Sequence, residues 1–245
     1  MKTIVLLHGW GMNPAVFGEL AAHLARHHSL CTPALPGYGA SSPCDPYTLD
    51  EIVRELSDQA PERCHVAGWS LGAHIALHWA RKRPGQVERL ALMAATPSFV
   101  AREDWSPGVD PGVLQAFSTD LARDVEAVLT RFVSLQAQCD RAARTVMQKL
   151  RAAVNAEPLP ATAVLQHGLD ILRTEDFRPR LGDAEQHTLI VHGENDQLVP
   201  LAAARYLVQA LPHARLETVA GAAHAPFASR PEAVSRLLSE HFDGR

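Results

Sequence analysis

Short apolar runs alternate with helically spaced segments at both ends of the chain. Thr3–Leu7 reads as a strand, followed by a glycine-rich turn and a helix around Val16–His27. A short strand near Leu30–Ala34 leads into a Pro/Gly loop, and a further helix starts near Leu49. Cys64-His65-Val66-Ala67 is a strand lead-in, and Leu71 to Arg83 forms a helix with Leu71, Ile75 and Trp79 on one face, stopped by Pro84-Gly85. The strand Val87–Met93 closes this first half. The pattern resumes with Thr188–His192 and Arg215–Val219 as strands, and Leu201–Ala210 and Pro231–Phe242 as helices.

Between these halves, from about Pro97 to Leu181, no strong strand candidate stands out. Helical spacing dominates at Leu114–Thr119, Asp124–Gln138, Ala142–Asn155 and Thr162–Arg173. Strands alternating with helices predict an α/β protein with a mostly parallel sheet covered on both faces. Residues 1–96 and 182–245 are expected to form that core, and 97–181 an inserted helical cap, or lid, at the strand ends that carry ligand sites.

Composition narrows the class. A hydrophobic share of 47% and a charged share of 20% over 245 residues describe a globular chain. The net charge of −4 gives no global attraction to nucleic acid or an anionic membrane, and no apolar run approaches the ~20 residues of a spanning helix. The apolar start of the chain is too short for a secretory core. Cys31, Cys44, Cys64 and Cys139 are scattered, so they are read as reduced thiols of a cytoplasmic protein; a monomer is expected.

The chemistry enters at Gly68-Trp69-Ser70-Leu71-Gly72. A serine on a tight strand-to-helix turn projects its hydroxyl outward, and small neighbours relieve the crowding. A serine hydroxyl is a weak nucleophile, so it requires a base, and the base requires an orienting carboxylate. Asp196, in the loop after Thr188–His192, is preferred over Glu194 as orienter; its competing reading is a cap on the next helix. His224, in the small-residue turn Ala222-Ala223-His224-Ala225-Pro226-Phe227, is the expected base. His23, His27 and His28 read as solvated. His74 and His78 share a helix face but lack a third ligand, so no metal and no cofactor are expected. Main-chain N–H groups of Leu71 and of Trp10, within His8-Gly9-Trp10-Gly11, are the candidate oxyanion donors. The Trp10 indole reads equally as a wall of the acyl site or as core.

Together, His8-Gly9-Trp10-Gly11, Leu35-Pro36-Gly37-Tyr38-Gly39, the Ser70 turn, the Asp196 loop and the His224 turn resemble the α/β-hydrolase superfamily along nearly the whole chain. Ala34 departs from the Asp common before the Leu-Pro-Gly turn, which puts a loop-stabilising hydrogen bond in doubt. Within the superfamily, Gly9-Trp10-Gly11-Met12-Asn13, the Ser70 and His224 segments and Arg131-Phe132-Val133-Ser134-Leu135-Gln136 resemble the carboxylesterases that demethylate pimeloyl-acyl-carrier-protein methyl ester in biotin synthesis. That resemblance implies a substrate site at Trp10, Ser70, Leu71, Phe132, Val133, Ser134, Leu135, Gln136 and His224, and an acyl-carrier-protein-linked ester as partner. Phe132 and Gln136, four apart, share a helix face and offer an apolar wall and a polar anchor; a buried cap Phe is the plainer reading. Arg141, Arg144 and Arg151 fall on one side of a helix and, with Arg131, either dock the carrier protein or form a solvated face. Two other functions fit the motifs: a broad-specificity carboxylesterase or thioesterase, and a ligand-binding homologue that has lost turnover. Dehalogenase and epoxide-hydrolase chemistry, which use a carboxylate nucleophile, are disfavoured by Ser70.

Overall fold

The computed structural model describes residues 2–245. Its six strands are β1 (Thr3–Leu7), β2 (Ser29–Cys31), β3 (Cys64–Trp69), β4 (Val87–Met93), β5 (His187–Gly193) and β6 (Ala214–Val219). They form one sheet in the order β2-β1-β3-β4-β5-β6, and every adjacent pair is parallel. Ten helices accompany them: α1 (Gly18–Leu24), α2 (Leu49–Gln59), α3 (Leu71–Lys82), α4 (Pro111–Leu121), α5 (Val125–Ala137), α6 (Ala143–Val154), α7 (Thr162–Thr174), α8 (Leu201–Ala210), α9 (Pro226–Ser229) and α10 (Pro231–Phe242).

Alternation along the strands builds two cores. Val5, Leu7, Val66, Leu90, Leu92 and Ile190 face one way and pack with α2, α3 and α8. Ile4, Leu6, Ala67, Ala91, Met93, Leu189 and Val191 face the other way and meet α1 and α10. Each fully buried Leu, Ile or Val supplies about 1.5–3 kcal/mol of transfer free energy, so both faces of the sheet are strongly committed.

Two expected elements come out shorter by more than one residue at an end. The expected Val16–His27 helix splits into a 3₁₀ turn, Pro14–Phe17, capped by Asn13, and α1. The second strand stops at Cys31, because Pro33 has no N–H to continue the ladder.

Topology places the site. The chain runs outward from β1 to β2 and then crosses back to place β3 on the other flank of β1, so the crossovers reverse direction between β1 and β3. Leu7 pairs with Gly68, Trp69 with Met93, Met93 with Val191, and Gly193 with Val219, which brings the carboxyl ends of five strands to one edge. The helices α4 to α7 lie between β4 and β5. Their base is tied where Ser98 bridges Asp176 and the Phe177 N–H donates to the Pro97 carbonyl at 2.8 Å. Asp110 and Asp124 cap α4 and α5. Among the described residues no helix is long and apolar enough to cross a membrane.

Candidate active site

Ser70 occupies a single-residue corner between β3 and α3, with φ 56° and ψ −117°. Its N–H donates to the Met93 carbonyl at 3.0 Å, which fixes the corner to the neighbouring strand. The flanking glycines are required by contact. A Cβ on Gly68 would overlap the Gly72 carbonyl, and one on Gly72 would overlap the carbonyl of Leu7. Gly9 is confined less severely, its Cβ standing 3.2 Å from that of Ser70. The first loop therefore passes directly over the serine.

His224 Nε2 lies 3.1 Å from Ser70 Oγ, and His224 Nδ1 lies 2.8 Å from Asp196 Oδ2. With Nδ1–H donating to the carboxylate, Nε2 is left as an acceptor for the serine proton. All three residues are buried, Ser70 being 8% exposed. Asp196 Oδ1 accepts the N–H groups of Leu198 and Val199, both at 2.9 Å, so the carboxylate shapes its own loop with one oxygen and holds the imidazole with the other. The alternative role as cap of α8 is excluded: the N-cap is Pro200, without a side-chain bond. Glu194 instead braces the loop, its Oε2 accepting the Gly221 N–H at 2.9 Å.

Burial is the largest single influence on Asp196 and opposes ionisation. The attraction and hydrogen bond from His224, with His192 and the Val199 amide, overcome it and hold the carboxyl below the ordinary Asp range. His192 is fully buried in β5, donates Nε2–H to the Val199 carbonyl at 2.8 Å and lies 3.6 Å from Asp196 Oδ2. Trp69 holds the His224 turn, its indole N–H donating to the His224 carbonyl at 2.8 Å.

The oxyanion candidates lie beside this row. Leu71 is the first residue of α3, where amides have no partner within their own helix. Trp10 follows Gly9. Its indole N–H donates to the Leu165 carbonyl of α7 at 2.8 Å, and its ring meets Phe132 and Phe117 edge-on. The indole is buried and also borders a cavity. His8 holds the same loop from beneath, its Nε2 accepting the Leu35 N–H at 3.1 Å. Burial pushes His8 down to about 4 and keeps it neutral, as that acceptor role requires. This bond, with Tyr47 O–H donating to the Pro36 carbonyl at 3.0 Å, secures the Leu35 turn despite Ala34.

Of the five residues 132–136, Phe132 and Leu135 border an apolar cavity of about 60 Å³ with Trp10, Phe117 and Leu198. Gln136 is buried, and its main-chain carbonyl accepts the His224 N–H at 3.2 Å. Val133 turns into the other core, and the Ser134 hydroxyl donates to the Thr130 carbonyl, since one helix cannot point five successive side chains at one site. Phe117 and Leu198 carried no sequence signal beyond being apolar. A larger cavity, about 610 Å³, opens on the outer side of α5 and α6; none of Ser70, Asp196 or His224 lines it.

The basic stripe is only partly formed. Arg144 and Arg151 are exposed on α6, but Arg141 precedes that helix, its stem lying over Gly221. Arg131 pairs with Asp120 at 3.0 Å and lies over the Phe117 ring. Of the histidines read as solvated, His28 is buried. His74 is buried beside Phe177, and His78 contacts Asp50 at 2.8 Å; the two are not part of any metal-holding group among the described residues.

The alpha/beta hydrolase fold family matches residues 2–231. The pimeloyl-acyl-carrier-protein methyl ester esterase of Nitrosomonas europaea is 39% identical over 229 residues, 94% of this chain and 91% of that protein. Its counterpart from Aromatoleum aromaticum is 40% identical over 242 residues, covering 97% and 96%. The structure of an esterase from Exiguobacterium antarcticum superposes with a TM-score of 0.88 at 22% identity, covering 99% of this chain and 92% of that one, a likeness of fold. On the family match and this identity, the chain belongs to the alpha/beta hydrolases, in the family of the pimeloyl-acyl-carrier-protein methyl ester esterases.

Proposed function

We propose that this carboxylic ester hydrolase removes methanol from the methyl ester of a pimeloyl chain carried on an acyl carrier protein, in biotin synthesis. The observation that carries the reading is the buried row Ser70 Oγ, His224 Nε2 and Nδ1, Asp196 Oδ2, with contacts of 3.1 and 2.8 Å, in a chain about 40% identical to esterases of that name.

Ser70 Oγ attacks the ester carbonyl while His224 Nε2 takes its proton. The main-chain N–H groups of Leu71 and Trp10 donate to the developing oxyanion, and the dipole of α3 favours the same charge. His224 returns the proton to the departing methoxide, and methanol leaves. Water, deprotonated by His224, then attacks the acyl-enzyme and releases the free carboxylate and Ser70. Asp196 holds the imidazole in its Nδ1–H form throughout.

Residues 97–181 act as the cap, supported by the tie at Pro97 and Phe177 and by the Trp10 bond to α7. Phe132 and Leu135 contact the acyl chain. Arg144 and Arg151 are the best-placed carrier contacts, with Arg131 and Arg141 at the margin. A monomer with its four free thiols reduced, in the cytoplasm, completes the reading.

The test is methanol release from pimeloyl-carrier-protein methyl ester by the purified chain, compared with Ser70→Ala. Wild-type turnover lost in the variant supports the proposal; no turnover on the carrier-linked ester, with turnover on free short esters, removes the substrate. Arg144→Glu with Arg151→Glu should raise KM for the carrier-linked ester alone. A short-chain carboxylesterase is the second reading, favoured by the small volume of the Trp10 cavity. A rate falling steadily from acetyl to longer free acyl esters would favour it.

A further inference from the structure

The end of α5 and the turn joining it to α6 grip the two loops that carry His224 and Asp196. Four hydrogen bonds cross between them. The His224 N–H donates to the Gln136 carbonyl at 3.2 Å, and the Arg141 N–H donates to the Gly221 carbonyl at 2.9 Å. The Asn195 side-chain amide donates to the Cys139 carbonyl at 3.0 Å. The fourth is the one made by a side chain of the turn: Asp140 Oδ2 accepts the N–H of Ala223, the residue before His224, at 2.8 Å. The other oxygen, Oδ1, accepts the Ala142 N–H at 2.7 Å, where α6 begins, and the Ser229 hydroxyl at 2.9 Å, in α9.

A buried carboxylate with three matched donors is an unusual investment for a surface turn, because its desolvation is offset only if the partners stay in place. Its partners are the residue capping α6, the peptide leading to the histidine and the helix just after it. We infer that Asp140 is a positioning residue for the base: it locks the His224 peptide to the helical block so that Nε2 meets Ser70 Oγ at bonding distance. The block that encloses the acyl chain and the loop that carries the base are thereby held as one body, and the four bonds form a hinge side that does not open. This rests on the proposed reading of Ser70 and His224 as nucleophile and base.

The test uses the full chain and a short p-nitrophenyl ester, which bypasses any carrier docking. Asp140→Ala removes all three acceptor contacts. Asp140→Asn keeps the shape and one acceptor oxygen, so it cannot serve both the Ala223 and Ala142 amides. A base displaced by about 1 Å loses on the order of 10² in rate, so Asp140→Ala should lower kcat about 100-fold with KM unchanged. Asp140→Asn should recover part of that loss, within about 10-fold of wild type. Fluorophosphonate labelling of Ser70 should slow in the same order. Folded variants with wild-type kcat and labelling rate overturn the inference, as does a loss confined to KM. If the alanine variant fails to fold, the asparagine variant decides by the same kcat and labelling criteria. Ser70→Ala is run alongside: labelling that persists there refutes the serine assignment itself, whatever Asp140 does.

Discussion

At Gly72, where α3 leaves the serine corner, an added methyl group would collide with the carbonyl of Leu7. At Gly168, in α7, the same methyl would stand 2.7 Å from Cδ1 of the Trp10 indole. The first obstacle is backbone in a parallel sheet and has nowhere to go; the second is a ring that can shift. The sheet edge is specified by main-chain geometry, so small motifs suffice to define it. The helical block is specified by which side chains fill the space above that edge, and many sequences can fill it.

That contrast can be broken at several points. The largest effect belongs to the sheet edge: Asp196→Asn should lower kcat about 10⁴-fold, because the amide no longer selects the Nδ1–H form of His224. Steady-state hydrolysis of a short ester measures it, and a loss below tenfold would remove Asp196 from the reaction. Next, Gly72→Ala should cost more than about 3 kcal/mol or prevent folding, while Gly168→Ala should cost about 1–3 kcal/mol, read by urea denaturation. Equal costs would erase the distinction drawn here.

Mild acid, above the carboxylate range, should also act on the sheet and not on the block. His8 and His74, flanking the serine corner, are pushed down to about 4 by burial, whereas the unfolded chain titrates near the ordinary value of 6.5. The unfolded state therefore binds more protons between these values. Their stabilising neutrality is fully present above about 6.5 and is lost as pH falls toward 4, at about 1.4 kcal/mol per pH unit for each group. The block holds a single histidine, His167. His65 in β3 and His241 in α10 are pushed down to about 4 in the same way, so hydrogen exchange at pH 7 and pH 5 should show protection falling first in the sheet and in α3 and α10; loss confined to α4–α7 would contradict this. A smaller effect is expected at the junction. Trp10→Phe removes the indole bond to Leu165 and should cost about 1–2 kcal/mol, with KM rising more than kcat falls.

The same division explains what could be read from sequence. β1, β4, α8 and α10 fall at their expected bounds, because period-two and period-3.6 patterns sit between clear glycine and proline stops. Ser70, Asp196 and His224, which the structure brings into hydrogen-bonding distance, were legible as candidates because each occupies the first loop beyond a strand, a position set by topology. Phe117, Leu198, His192 and Asp140 were not found. Their importance comes from contacts to residues distant in sequence, such as Asp140 to Ala223, and nothing local distinguishes them from any apolar or acidic residue. The misreading of Arg141 as part of a helical stripe has a related cause: its main chain is diverted to bond Gly221 before α6 begins.

One last consequence follows from the corner itself. Ser70 is held at a positive φ that only glycine adopts without penalty, at a cost of order 1–3 kcal/mol. The protein would be more durable with glycine in place of this serine. Ser70→Gly should melt higher than wild type by a few degrees while, on the proposed reading, hydrolysing nothing, and a selection for thermal survival alone would discard the proposed nucleophile.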